Sequence, residues 1–381
     1  MKRRTFLTAT TASLASTQLA GPAYASGSTA KNYEVVARFW GAMPTGVTVS
    51  RRGRVFVNFP RWGDDVPFTV AELRGGKPVA YPDAEVNRED PSDLAGHFQS
   101  VQSVVVDPAD RLWILDTGSP LFAGSSYGGP KLVAVDLRTD RIVRKILFPP
   151  EVVPANSYPN DVRFDLRRGA EGMAFITDSG GSNGVIVVDL ATGRSWRRLA
   201  GHPSVLADEQ FLPVIEGEPF MVRPAGGEPI YYETGSDGIA LSADGTRFYY
   251  CPLSSRRLHS VSTDALADPD ATDAEVAATV EDLGFKPMAD GLESDDKGRL
   301  YGGDLEHNAI WRRSPKGTYR TLAQGSDLIW VDTLFVASDR HLYAIANQLN
   351  RLSPFHEGND LRRKPYLLVR LWIDAGPVWL V

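Results

Sequence analysis

The sequence has one cysteine, Cys251, in 381 residues, which excludes an intramolecular disulfide and any metal site built from cysteines. It has no surplus of positive charge. Its 41 Lys and Arg face 47 Asp and Glu, a net charge of -6, and it shows no basic patch of the size that phosphate backbones need. Nucleic acid is therefore not an expected partner. The six histidines show no H-x-x-x-H spacing, which leaves a zinc site without support. P-loop and dinucleotide fingerprints are missing, and Gly180-Gly181-Ser182-Asn183-Gly184 sits between two strands, not before a helix, and reads as a hairpin loop. No apolar run is long enough to span a bilayer. Helical periodicity is weak except over 265–278, which fits a short insertion. The strings Asp116-Thr117-Gly118-Ser119 and Asp178-Ser179-Gly180-Gly181 imitate the two signatures of an aspartic protease. They lie too close together for two lobes and occupy the same place in a repeat, so they are expected to be turns. Cys251, following Tyr249-Tyr250, is expected to be a buried core thiol.

What is present is ordinary globular material, 43% hydrophobic and 23% charged, with 35 Gly and 26 Pro for many tight turns. The chain opens with Lys2-Arg3-Arg4-Thr5-Phe6-Leu7, continues Ala-, Thr- and Ser-rich, and reaches Ala23-Tyr24-Ala25. Paired arginines, a weakly apolar stretch and an A-x-A site resemble a twin-arginine export signal over residues 1–25. The expectation is one domain over 26–381, periplasmic or secreted, monomeric, and not held at a membrane once the signal is removed.

The rest of the chain repeats itself. Six segments share one grammar: a short apolar strand, a turn with Asp, Gly or Arg, and a second strand rich in Val, Leu and Tyr. They start at residues 46, 103, 161, 238, 291 and 333. Third strands are legible at 131–136, 184–189 and 309–312. Many short strands at regular spacing with few helices indicate an all-β fold, and six units of about four strands predict a six-bladed β-propeller. The segments 33–39 and 366–373 also have strand character. They are expected to pair in one blade, closing the ring and leaving no long free edge.

In such a fold the residues just before each innermost strand ring the channel mouth. The repeat places Thr45-Gly46, Gln102-Ser103, Asn160-Asp161, Asp237-Gly238, Asp290-Gly291 and Asp332-Thr333 there. Carboxylates converging on one axis repel unless a cation, a raised pKa or a cationic ligand relieves them. Asp161, Asp237, Asp290 and Asp332 are thus the candidate catalytic carboxylates. Gln102, Asn160, Asp178, Asp304, His307 and Asn347 are the candidate ligand-binding residues. Asn160, Asp237 and Asp290 carry the hard oxygens that calcium (Ca2+) takes, and form the candidate metal set.

Several strings resemble the Yellow/major royal jelly protein family. Pro44-Thr45-Gly46-Val47 and Gly53 through Trp62 resemble its first-blade signature. Tyr158-Pro159-Asn160-Asp161-Val162, Ile176 through Gly180, Gly235 through Leu241 and Trp330 through Leu334 resemble its middle motifs. Asn347-Gln348-Leu349-Asn350-Arg351 resembles its closing motif. The resemblance implies a propeller with a small aromatic or amine ligand in the channel, since the family includes pigment-pathway proteins linked to dopachrome conversion, amine-binding salivary proteins and nutritive proteins. A more distant likeness to gluconolactonase-type propellers implies a divalent cation held by one Glu and several Asn or Asp. Here Thr45 or a neighbour stands where the first-blade Glu is expected, and Asp replaces one expected Asn. Two functions stay open: conversion of a small organic substrate, by a tautomerase-like or lactone-hydrolase-like step, and non-enzymatic binding of an aromatic or amine ligand.

Overall fold

Six four-stranded antiparallel sheets stand around one axis in the computed structural model, which describes residues 32–381. The export signal expected at 1–25 lies outside the described residues. Five of the sheets run from an inner to an outer strand in chain order, and the inner strands of all six are Gly46–Val49, Val101–Val106, Pro159–Asp165, Ser236–Leu241, Leu292–Ser294 and Val331–Val336. Each inner strand contacts the next, and the sixth contacts the first. The fold is a six-bladed β-propeller, and the hairpin grammar of the sequence marks the inner pair of strands in every blade. The sixth blade is closed as expected: its order runs from Val331–Val336 through His341–Ala346 and Tyr366–Trp372 to Glu34–Phe39. Chain ends that pair within one sheet leave no blade half-built, which removes the free edges an open sheet would present.

The turns explain the recurrent Asp and Arg. Asp107 Oδ1 accepts from the backbone N–H groups of Ala109 and Arg111, while its Oδ2 accepts from Trp113 Nε1 at 2.8 Å. Asp295 repeats the arrangement with Lys297, Arg299 and Tyr301. A short acceptor side chain that closes its own turn is the reason Asp is favoured there. The strings resembling protease signatures are turns of the same kind. Asp116 accepts from Gln99 N and Ser100 N, and Asp178 accepts from Tyr158 N, so each pins the loop that enters an inner strand.

Between the blades, Val, Ile, Leu and aromatic side chains alternate into shared layers, as in the cluster of Trp113, Phe164, Ile176 and Ile186. Cys251 is buried, as expected. The helical insertion expected over 265–278 is two short helices, Thr263–Ala267 and Asp273–Ala277, with a capping box between Thr272 and Glu275. The long interval between the third and fourth repeats holds a hairpin, Val214–Ile215 with Glu218–Pro219, and a bridge from Val222 to Ile230. No helix among the described residues is long and apolar enough to cross a membrane.

Candidate functional site

Four of the six inner strands carry a β-bulge at the point where the polar residues cluster. The register shifts between Val101 and Ser103, Pro159 and Val162, Ser236 and Ile239, and Val331 and Leu334. A bulge leaves a residue unpaired and re-aims its side chain. Gln102, Asn160, Asp237 and Asp332 sit in these bulges and line a cavity of about 610 Å³ together with Asp290. Gly238 is required beside Asp237, because a Cβ there would stand 2.4 Å from the Asp290 carbonyl.

Three carboxylates form the floor. Asp237, Asp290 and Asp332 are each below a tenth exposed. Burial pushes the Asp290 carboxyl up to about 6, and the N–H of Trp330, donated to its Oδ2 at 2.6 Å, and a hydrogen bond with Asp237 hold it from rising further. Burial also raises Asp237 well above the usual carboxylate range, reinforced by the neighbouring Asp290 charge. Asp332 is raised by burial and by Asp290, against the pull of Asn347, whose Nδ2 donates to Asp332 Oδ2 at 2.6 Å. Like charges brought together out of water cannot all ionise, so protons are retained on this floor near neutral pH. Lys286 does not line the cavity; it is buried, donates from Nζ to the carbonyls of Ser255 and Pro287, and its charge pulls the Asp290 carboxyl down.

The walls are aromatic. Trp62 stacks on Phe122 with ring centroids 4.9 Å apart, and Phe122 lies 5.4 Å from Tyr158. Trp62 Nε1 donates to the Tyr158 hydroxyl, which in turn donates to Gln102 Oε1. Burial pushes the Tyr158 hydroxyl above its ordinary value, so it stays a neutral donor. Leu121 and Phe122 hold left-handed φ angles of 55° and 57°, and Phe122 is 60% exposed. Two consecutive non-glycine residues in that region store strain, a feature concentrated at ligand clamps. Across the cavity stand Tyr232 and Phe355, 5.4 Å apart, backed by Phe220. The described residues lining the cavity include no Lys, Arg or His.

The other sequence candidates are placed differently. Asp161 is in the channel but does not line the cavity; it accepts from Ser103 Oγ and pairs with Arg163 at 2.9 Å. Asn347 is buried behind Asp332 and acts on the cavity through it. Asp178 is fully buried and paired with Arg197 at 2.6 Å; it holds the loop bearing Tyr158, Ser179 and Gly180 and is no ligand contact. Asp304 and His307 pair with each other at 2.9 Å, and His307 is exposed outside the cavity because it sits at the outer end of its hairpin. Thr45 is buried, accepting from Asn58 Nδ2. The sequence reading missed the aromatic walls, Trp330, Glu293 and Arg163. Period-two alternation from Asp161 would have flagged Arg163; no local signal marks the loop aromatics.

The calcium set does not fit as it stands. Asn160, Asp237 and Asp290 offer the right class of oxygen, but Asp290 Oδ2 is taken by Trp330 and Asp237 is bonded to Asp290. Among the described residues no group of three or more His, Cys, Asp or Glu is arranged to hold a metal ion.

In fold the chain is similar to a gluconolactonase from Xanthomonas campestris, with TM-score 0.50 and 11% identity over 89% of this chain and 88% of that one. It is also similar to the calcium-binding protein regucalcin from Agrobacterium tumefaciens, with TM-score 0.52 and 14% identity over 91% and 96%. At such identities the likeness shows the fold alone. In sequence it is 31% identical to Protein yellow of Drosophila melanogaster over 247 residues, 61% of this chain and 43% of that protein. The chain thus spans less than half the length of the curated relatives it matches. Residues 99–364, well over half of the chain, match the family described as Major royal jelly protein, and the chain belongs to that family.

Proposed function

We propose that the channel takes a small aromatic or quinonoid molecule carrying a protonated amine and moves a proton on it, a tautomerase-type step. One observation carries this reading: a floor of three buried carboxylates under aromatic walls, with no cationic side chain among the described lining residues. A ligand ammonium supplies the missing counter-charge, and the rings of Trp62, Phe122 and Tyr158 offer it π-faces. The Asp237–Asp290 pair suits general acid–base work. Asp290 in its ionised form accepts a proton from one position of the ligand, and neutral Asp237 returns one to another, with no net change in the pair's charge. A carboxyl near 6 is available in both forms close to neutral pH. Hydrolysis of a lactone would need a polarising cation, and the engaged carboxylates count against one. The calcium-binding neighbour keeps calcium in the test as the rival counter-charge. Export by the residue 1–25 signal would place this activity in the periplasm or outside the cell, in a monomer with neither nucleic acid nor membrane as partner.

The test titrates catecholamines, indole amines and calcium into the protein, and follows dopachrome-type quinones by absorbance. Binding and conversion that both vanish in Asp237→Asn with Asp290→Asn support the reading. Binding without conversion of any quinone leaves a binder and removes the catalytic half. Unchanged affinity in the double variant overturns the channel site altogether.

A further inference from the structure

Beneath the cavity floor one side chain reaches from one blade to another. Arg163 belongs to the inner strand Pro159–Asp165 of the third blade. Its Nη1 donates to Asp161 Oδ2 and to the Val162 carbonyl, each at 2.9 Å. Its Nη2 donates at 2.9 Å to the carbonyl of Leu292, on the inner strand of the fifth blade, and lies 3.6 Å from Glu293 Oε2. The third and fifth blades are not neighbours, so the guanidinium reaches past the fourth blade across part of the channel. Arg163, Asp161 and Glu293 are each about nine-tenths buried. On the far side a small cavity of about 50 Å³ is lined by Arg163, Glu293 and the ends of the inner strands, with Pro377, Val378 and Trp379 across it.

Five carboxylates therefore face one channel: Asp237, Asp290 and Asp332 above, Asp161 and Glu293 below. The oxygens around the guanidinium are two carboxylates and two backbone carbonyls. That is the ligand chemistry a calcium ion selects, and here N–H donors address three of the four oxygens while the fourth lies in ion-pair range. Arginine is charged at every accessible pH, and its planar fork can meet several oxygens at once. We infer that Arg163 is the resident cation of this channel, a built-in guanidinium that stands where a carboxylate-lined propeller would otherwise need a divalent ion. It offsets one charge of the lower pair, in which burial pushes the Glu293 carboxyl up to about 7, and leaves the three upper carboxylates to be answered by a ligand. This inference does not depend on which ligand the cavity takes.

The experiment uses calcium alone as the probe. Melting temperatures of the wild type, Arg163→Lys and Arg163→Gln are compared in millimolar calcium and in chelator. The wild type and Arg163→Lys, which keep the charge, are expected to show no shift between the two. Arg163→Gln leaves two buried carboxylates unanswered and is expected to melt roughly 4–7 °C lower in chelator, with calcium recovering most of the loss. A purely structural brace would give the loss without the recovery. Calcium stabilisation of the wild type that persists in Asp237→Asn with Asp290→Asn, or a folded Arg163→Gln protein indifferent to calcium, overturns the inference. Should Arg163→Gln not fold, Arg163→Gln combined with Asp161→Asn removes a charge from each side. It is expected to fold again with a weaker calcium response, and its failure to do so also overturns the inference.

Discussion

Asp290→Asn should make the protein more stable in mild alkali. Asp290 is raised from 3.8 to about 6 on folding, chiefly by burial. Between those values the folded chain keeps a proton that the unfolded chain has released, so stability falls as pH rises through the window and levels off above it. At 1.36 kcal/mol per unit, the ionised carboxyl costs about 3 kcal/mol near pH 8. Asparagine has the same shape, keeps an oxygen for Trp330 Nε1, and never ionises. It also relieves Asp237 and Asp332 of a neighbouring charge, which acts in the same direction. With an unfolding entropy of about 2.1 cal/mol/K per residue, the variant should melt about 4 °C above the wild type near pH 8. The two proteins should converge near pH 4, where Asp290 is protonated in the folded state and half protonated in the unfolded one. Thermal melts across that range read the difference directly. An Asn variant that is less stable near pH 8, or a gap that does not narrow in acid, would refute the assignment of Asp290 as a strained, functional carboxyl. The same variant should bind an amine ligand more weakly, so a gain in stability with a loss of function is the signature sought.

Three further outcomes are expected. Phe122→Ala should weaken an aromatic ligand by roughly 2- to 13-fold, from the 0.5–1.5 kcal/mol of an aromatic pair, with little change in melting temperature because the ring is 60% exposed; titration calorimetry beside a melt separates the two. Affinity for an ammonium ligand should rise with pH as Asp290 ionises around 6 and then level off; a flat profile between pH 5 and 8 would show that the floor is not the ammonium's counter-charge. Asp178→Asn breaks the buried pair with Arg197 and should cost about 3–5 kcal/mol in denaturant unfolding, whereas His307→Ala, exposed and outside the cavity, should change neither stability nor binding.

Much of this molecule was legible in the sequence. A strand-turn-strand pattern with period-two alternation is a local property, so six copies of it announced six blades, and the strand character of 33–39 and 366–373 announced the closure. The ring of Gln102, Asn160, Asp237, Asp290 and Asp332 followed from the same repeat, because equivalent positions in equivalent blades must meet at one axis. What that symmetry could not supply was anything that breaks it. Trp62, Phe122, Tyr232 and Phe355 come from loops of unrelated length, and only their packing decides that they share a cavity. Asp178 and Asp304 occupy repeat positions like those of the ring yet sit one strand further out, where Arg197 and His307 engage them. The sequence alone allowed a metal, a raised pKa or a cationic ligand as the relief for crowded carboxylates. The tertiary structure added an internal one, because only the ring of blades brings Arg163, paired with Asp161 along its own strand, against Leu292 and Glu293 of the fifth blade. Charge balance across an axis is a property of the closed ring, and no stretch of chain contains it.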